Sequence, residues 1–232
     1  MCAEKSRIEA LILDPENDYL QPYFYNNPLA LRCELGRGAA PEEYLTEARR
    51  RAEAIRALLL PRGADAMIFN YWMYDWSDSG EAEEKVFSDA EAAMEARIGE
   101  ETRALRFLLE SMLRYRHVSI IGLGSYLDED DPDRDSVRRD RIVCYSDGRG
   151  FDDAALIEAQ IASENNSEVG LVSFENECIL SVYDDRGCDI VFAAPEKLVE
   201  FYEKLRPFFL DYDLEEMEKR YRAALNEISR PS

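Results

Sequence analysis

The sequence is nearly free of histidine, since its 232 residues contain only His117. One histidine cannot build a metal site with several imidazole ligands, and a nucleophile–histidine–acid triad would have to use this residue. His117 stands between a helical and a strand-like segment, where a cation favours the negative end of the helix dipole. We therefore interpret it as structural and predict no catalytic residue.

Paired cysteines and long apolar runs are also missing. The five cysteines are odd in number and contain no C-x-x-C pair, which argues against a disulfide framework and a zinc motif. Three of them, Cys33, Cys144 and Cys178, lie in apolar strand-like runs and are interpreted as reduced core thiols. The first residues lack the apolar core of a secretion signal, and no run approaches the roughly 18 apolar residues of a membrane helix. We expect a cytoplasmic protein.

Positive charge is scarce relative to negative charge. The chain has 49 Asp and Glu against 28 Lys and Arg, a formal net charge of −21, yet 46% of its residues are hydrophobic. A folded domain with this imbalance repels nucleic acid and anionic membranes and attracts basic partners. We therefore predict a basic protein partner, no nucleic acid and no membrane. Acidity as an adaptation of the host remains an alternative.

The motifs that bind phosphates or calcium are absent. Gly122 and Gly124 follow a strand-like run, but Leu127 occupies the third glycine position of a dinucleotide fingerprint. Reading the acidic loop as an EF-hand puts Ser136 at the glycine position and Ile142 at the bidentate glutamate. There is also no phosphate-binding loop and no nucleophile elbow. We expect no cofactor and no metal.

Hydrophobic periodicity and turn residues predict the order of the elements. Pro41 followed by two acids is typical of a helix start. The predicted elements are a strand at 29–35, a helix from Pro41 to Leu60, a strand at 66–74, helical structure at 88–116, strands at 118–123 and 141–145, a helix at 152–163, three strands between 169 and 194, and helices at 195–206 and 213–228.

This order segregates strands from helices. It predicts an α+β fold with a mixed, largely antiparallel sheet and helices packed mainly on one face. The length fits a single domain over residues 1–232, with a weak seam near 146–150 (Ser-Asp-Gly-Arg-Gly) that could divide two subdomains.

Three short segments together resemble a known family. They are an early strand, a hairpin with Asp-Asp-Arg-Gly followed by a strand, and an Asp-Tyr-Asp entry to the last helix. The residues are Leu31-Arg32-Cys33-Glu34-Leu35-Gly36, Val182-Tyr183-Asp184-Asp185-Arg186-Gly187-Cys188-Asp189-Ile190-Val191, Leu198, Tyr202 and Leu210-Asp211-Tyr212-Asp213. This pattern resembles the uncharacterised bacterial family called domain of unknown function 3885. Cys33 departs from it, because a bulkier apolar residue is expected there. The resemblance implies no activity.

Aromatic residues beside acids are the candidates for partner binding, because rigid rings supply contact area and carboxylates meet Arg or Lys. The candidate partner-binding residues are Tyr74, Asp75, Trp76, Asp78, Asp128, Asp130, Asp131 and Asp133. A second aromatic stretch runs from Tyr19 to Tyr25. Outside helix faces, acids concentrate in Asp75–Glu84, Asp128–Asp135 and Asp211–Glu218. Whether these segments share one surface depends on the fold.

Asp184, Asp185, Arg186 and Asp189 form an alternative carboxylate site, which could hold Mg²⁺ or serve acid–base chemistry. The same letters are typical of a tight hairpin turn, with Asp184 at its start and Gly187 supplying a positive φ. The turn is the favoured interpretation.

The leading hypothesis is a non-enzymatic, acidic protein-binding domain of the immunity or inhibitor type, which occludes a basic partner such as a nuclease toxin. The alternatives are a small-molecule-binding protein or metal-dependent enzyme that uses residues 184–189, and a structural or regulatory module of a larger assembly.

Overall fold

The computed structural model describes residues 7–12, 23–75, 118–126, 138–147, 152–162 and 169–230. The strands are β1 (Ala30–Glu34), β2 (Ala66–Asp75), β3 (Val118–Tyr126), β4 (Arg138–Asp147), β5 (Val169–Ser173), β6 (Cys178–Val182) and β7 (Gly187–Phe192). The helices are α1 (Arg7–Ile12), α2 (Tyr23–Asn26), α3 (Pro41–Leu59), α4 (Asp153–Ile161), α5 (Pro195–Leu205) and α6 (Leu214–Ile228), with 3₁₀ turns at Arg206–Phe208 and Asp211–Asp213.

The strands form one seven-stranded sheet in the order β1-β7-β6-β5-β2-β4-β3. Every pairing between these strands is antiparallel. The α+β class and the largely antiparallel sheet are therefore confirmed. The helical structure expected at 88–116 lies outside the described residues, as do residues 148–150 of the suggested seam, so the single-domain assignment stays a prediction.

Strand β7 has elements on both faces. On one face Phe192 stacks on Phe201 of α5, with ring centroids 5.7 Å apart. On the other face Asp189 accepts a hydrogen bond from the backbone N–H of Phe24 in α2. The helices pack mainly on one face of the sheet, and the four-residue helix α2 covers the opposite face at β1 and β7.

Strand β1 lies at one edge of the sheet, but its outer side is covered. Cys33 forms an isolated antiparallel bridge with Phe209, and the backbone N–H of Arg32 donates to Sδ of Met217 at 3.3 Å. The alternation of apolar and polar residues predicts a half-buried strand here. Instead, Ala30 to Cys33 are all buried, because α2 covers the second face and the C-terminal segment covers the edge. Covering an edge strand in this way blocks pairing with other chains.

Helix α3 begins at Pro41, as predicted, and carries a buried arginine. Arg51 Nε donates to the carbonyl of Glu34 at 2.8 Å, and its Nη1 donates to the carbonyl of Pro207 at 3.4 Å. Its guanidinium carbon lies 5.1 Å from the ring centroid of Phe208. Burial lowers the pKa of Arg51. The side chain therefore joins α3 to the end of β1 and to the C-terminal segment.

In the described part of the chain, no helix combines the length and the apolar composition that a membrane span requires.

Replacing Arg51 with Lys tests this connection. A lysine ammonium lacks the fork of donors that reaches two carbonyls, so R51K should lower the free energy of unfolding by about 1.5–3 kcal/mol. The neighbouring Arg50 is the control, because it is exposed and, in the described part of the chain, pairs with Glu47. R50K should change stability by less than about 0.5 kcal/mol. Equal urea midpoints for the two variants would contradict this account.

Candidate functional site

A buried ion pair joins β1 to β7. Arg32 and Asp189 lie directly opposite each other in the register. Arg32 Nε donates to Asp189 Oδ1 at 2.7 Å, and Nη2 donates to Oδ2 at 3.0 Å. Only 8% of Arg32 and 1% of Asp189 are exposed. Burial acts to lower the pKa of Arg32, but the hydrogen bonds and the charge of Asp189 outweigh it and raise that pKa. The two hydrogen bonds make the pair bidentate, which is the strong form of this interaction.

Asp213 brings the C-terminal segment to the same arginine. Its Oδ2 lies 3.7 Å from Arg32 Nη1, within ion-pair distance but too far for a hydrogen bond. Its Oδ1 accepts a hydrogen bond of 3.4 Å from the hydroxyl of Tyr25. Asp213 is itself buried, so Arg32 faces two buried carboxylates.

Aromatic rings surround the Arg32 guanidinium. Its central carbon lies 4.6 Å from the ring centroid of Tyr25, 5.1 Å from that of Phe24 and 5.6 Å from that of Tyr183. The negative faces of such rings attract a cation, most strongly where water is excluded. We call Arg32, Asp189, Asp213 and these three aromatic residues the arginine cluster.

A second arginine holds the segment between α2 and β1. Arg220 of α6 donates from Nη1 to the carbonyls of Phe24, Asn27 and Ala30 at 2.7, 2.9 and 3.2 Å. Its guanidinium carbon lies 4.0 Å from the ring centroid of Phe24. The carbonyls thus gain a charged donor, and α6 fixes the position of α2 over the arginine cluster.

Two tyrosines are exposed at the surface: Tyr25, which belongs to the arginine cluster, and Tyr212, which precedes Asp213. Tyr25 is 55% exposed although one face of its ring covers Arg32, and Tyr212 is 86% exposed beside Asp213. Asp211 and Glu215 are exposed next to Tyr212 in the chain. We call Tyr25, Asp211, Tyr212 and Glu215 the acidic tyrosine surface. It combines aromatic rings with carboxylates in the way that the sequence suggested for other segments.

The residues of the alternative carboxylate site have separate partners. Asp184 accepts the backbone N–H of Arg186 at 2.8 Å and its side-chain Nε at 2.7 Å, so these two residues close the β6–β7 turn on themselves. Asp185 is half-buried in the same turn. Asp189 is bound to Arg32. Among the described residues, no group of three or more His, Cys, Asp and Glu is arranged to hold a metal ion.

Gly187 is needed for a different reason from the one expected. Its φ is not positive, unlike those of Gly38 and Gly63. A Cβ at position 187 would collide with the hydroxyl of Tyr183 and lie 2.8 Å from the carbonyl oxygen of Cys33. The expectation of a positive φ was therefore wrong: glycine is required because Tyr183 and β1 leave no room for a side chain.

Most of the predicted partner-binding residues lie outside the described residues. These are Trp76, Asp78, Asp128, Asp130, Asp131 and Asp133. Tyr74 and Asp75 end strand β2, where their backbones pair with those of Arg139 and Arg138. Of the three acidic segments, Asp211–Glu218 is described, and it forms part of the acidic tyrosine surface.

Sequence reasoning missed Arg32 as the centre of a site. Its position in an alternating strand indicated exposure to solvent, and nothing local shows that α2 folds over it. A signal did exist, however, because the segments that carried the family resemblance supply Arg32, Tyr183, Asp189 and Asp213. These residues are up to 181 positions apart in the chain, and they meet in the arginine cluster.

Comparison with protein families agrees with that resemblance. The family model described as domain of unknown function 3885 matches residues 12–213. The chain belongs to the DUF3885 family. No curated protein and no solved structure matches it. The family match covers every residue of the arginine cluster, but it brings no activity with it.

Neutralising Asp189 tests the ion pair. D189N would leave Arg32 buried without a bidentate carboxylate, which should cost about 3–5 kcal/mol of unfolding free energy. E158Q is the matched control, because Glu158 makes an exposed ion pair with Arg49, and its loss should cost less than about 1 kcal/mol. Urea unfolding measures both. A D189N protein as stable as E158Q would show that the pair does not hold the fold together.

The steric account of Gly187 predicts a measurable coupling. G187A should destabilise the protein by about 1–3 kcal/mol, because the new methyl group is forced into occupied space. Adding Y183F removes the hydroxyl that the methyl meets first, so the double variant should recover part of the loss. Strictly additive unfolding free energies for G187A and Y183F would contradict this account.

Proposed function

We propose that this DUF3885 protein is a cytoplasmic, non-enzymatic binding domain of the immunity or inhibitor type, whose partner is a basic protein such as a nuclease toxin. The net charge of −21 supports a basic partner, because a strongly acidic protein attracts a basic one over distances comparable to the Debye length. Such steering raises the association rate more than it raises affinity.

The observation that carries the proposal is the acidic tyrosine surface. Tyr212, with 86% of its surface exposed, gains nothing from the protein's own core. Tyrosine is enriched at the energetic centres of protein interfaces, since it buries a large rigid area and keeps a polar end. Asp211 and Glu215 are exposed within three residues of Tyr212 in the chain, where an Arg or Lys of the partner would meet them.

The arginine cluster holds part of this surface in place before binding. The ring of Tyr25 is held against Arg32, and its hydroxyl is held by Asp213. Asp213 directly follows Tyr212 in the chain and is buried, so the backbone of Tyr212 is anchored next to the cluster. A surface that is already ordered loses less conformational entropy when a partner binds. The buried cluster thus has a role in recognition although its own charges face inward.

The alternatives drawn from the sequence have less support. For a carboxylate enzyme or small-molecule site at 184–189, the carboxylates of Asp184 and Asp189 would have to be available. Both are bound to arginines in this structure. No observation on the described residues favours a structural module over a binding domain.

The proposal predicts separate effects on the two rate constants. The partners to test are purified basic proteins encoded beside this gene, with binding followed by surface plasmon resonance. Y212A should raise the dissociation rate roughly tenfold or more, because it removes an aromatic anchor. D211N with E215Q should lower the association rate several-fold and weaken its dependence on salt.

The control variant has the same net charge as the D211N/E215Q variant, but its two substitutions lie outside the acidic tyrosine surface. E53Q with E158Q removes two carboxylates from α3 and α4, both exposed ion-pair partners of arginines, and should alter association much less. The proposal fails if no basic neighbour binds. It also fails if Y212A and the D211N/E215Q variant bind a basic neighbour as the unmodified protein does.

A further inference from the structure

Two cysteines face each other inside the sheet. Cys33 on β1 and Cys188 on β7 are directly opposite in the antiparallel register. Both are free thiols with no exposed surface. A hydrogen bond with Cys33, together with burial, raises the pKa of the Cys188 thiol. Neither the arginine cluster nor the acidic tyrosine surface uses them.

The backbone hydrogen bonds define how far apart these residues are. Leu35 N–H donates to the carbonyl of Arg186 at 2.8 Å, and Phe192 N–H donates to the carbonyl of Leu29 at 2.9 Å. Hydrogen-bonded pairs alternate along an antiparallel ladder, which makes Cys33 and Cys188 such a pair, with Cα atoms about 5.5 Å apart. Disulfides bridge Cα atoms separated by about 4.4–6.8 Å. The backbone spacing is therefore compatible with a bond between the two sulfurs.

The two sulfur atoms can bond only if β1 and β7 move slightly closer together at the cysteines. Cβ atoms of directly opposite residues are about 4.5–5.5 Å apart, whereas a disulfide requires about 3.5–4.5 Å. Strand β1 lies at the edge of the sheet, so this movement displaces no further strand in the described part of the chain. Its outer side is held by the bridge to Phe209 and by the contact with Met217 rather than by another strand.

We propose that Cys33 and Cys188 are a reversible oxidation site that forms an intrachain disulfide with a peroxide as oxidant. Local opening of β1 at the edge of the sheet admits hydrogen peroxide, which oxidises the Cys33 sulfur to a sulfenic acid and leaves as one molecule of water. The Cys188 sulfur then attacks Cys33, a second water leaves, and the S–S bond forms. Two thiols lose two protons and two electrons in total, and one peroxide becomes two waters.

The bond would act directly on the arginine cluster. Cys33 and Cys188 are the immediate chain neighbours of Arg32 and Asp189. Drawing β1 towards β7 at the cysteines changes the geometry of the ion pair in the next register position. Disulfides formed in the cytoplasm are typically transient and regulatory, which fits a site that shifts an existing structure rather than one that holds the fold together.

Cys178 provides the internal control. It is also a buried free thiol, and burial raises its pKa to about 12. Its opposite residues are Phe192 on β7 and Ser173 on β5, so no second thiol faces it. The proposal therefore expects Cys178 to stay unlinked under conditions that join Cys33 to Cys188.

The test uses the full folded chain, reduced and then exposed to hydrogen peroxide. After quenching, free thiols are alkylated in denaturant, and the digested protein is analysed by mass spectrometry. We expect a peptide pair linked through Cys33 and Cys188, lighter by two hydrogens than the separate peptides and released by dithiothreitol. C178A should keep this link, whereas C33A and C188A should lose it.

Two outcomes would overturn the proposal. One is complete alkylation of Cys33 and Cys188 after peroxide treatment of the native protein. The other is a link that forms only when the same treatment is done in unfolding concentrations of urea. The mapping on the unmodified chain decides the question even if an alanine variant does not fold, and it is independent of whether a basic partner exists.

Discussion

The ion pair between Arg32 and Asp189 is the interaction on which the arrangement of this protein depends. It connects an early edge strand to the last strand of the sheet, although the two residues are 157 positions apart. Asp189 also accepts the N–H of Phe24, and Arg32 lies close to Asp213. One buried charge pair thereby connects helix α2, the edge strand β1 and the 3₁₀ turn that leads into α6. Burying charges is costly, so such a pair persists only when its geometry satisfies both partners.

The pair also connects the interior to the surface. The same guanidinium that binds Asp189 lies under the ring of Tyr25, and Asp213 leads directly to the exposed Tyr212. The surface proposed to bind a partner is thus the outer layer of the cluster that orders the fold. Oxidation of the neighbouring thiols would reach this surface through the same two strands.

Local patterns in the sequence determine local elements, and these were predicted well. The periodicity and Pro41 placed α3, the turn residues separated β5, β6 and β7, and the predicted strands at 118–123 and 141–145 lie within β3 and β4. These signals act over a few residues, where backbone preferences and side-chain spacing decide the structure. The pairing of β1 with β7 has no local signal, because the two strands lie far apart in the sequence.

The candidate site also depends on contacts between distant segments, which local sequence patterns do not predict. The sequence indicates Asp189 as a carboxylate for Mg²⁺ binding or acid–base chemistry, whereas the alternation in β1 predicts that its partner Arg32 faces solvent. A polar residue in an alternating strand normally does so, but the packing of α2 over that face, with Asp213 beside it, buries Arg32. Gly187 was expected to serve a turn, yet its role depends on the ring of Tyr183 above it. Both errors come from contacts between residues that the sequence does not place side by side.

Amide hydrogen exchange at Phe24 tests the central claim most directly. Phe24 lies in the first turn of a four-residue helix, where a backbone N–H has no acceptor within the helix, and its acceptor is the carboxylate of Asp189. If the arginine cluster orders this end of the molecule, that amide should exchange as slowly as the amides of β7. Exchange at the rate of an unprotected surface amide would contradict the account.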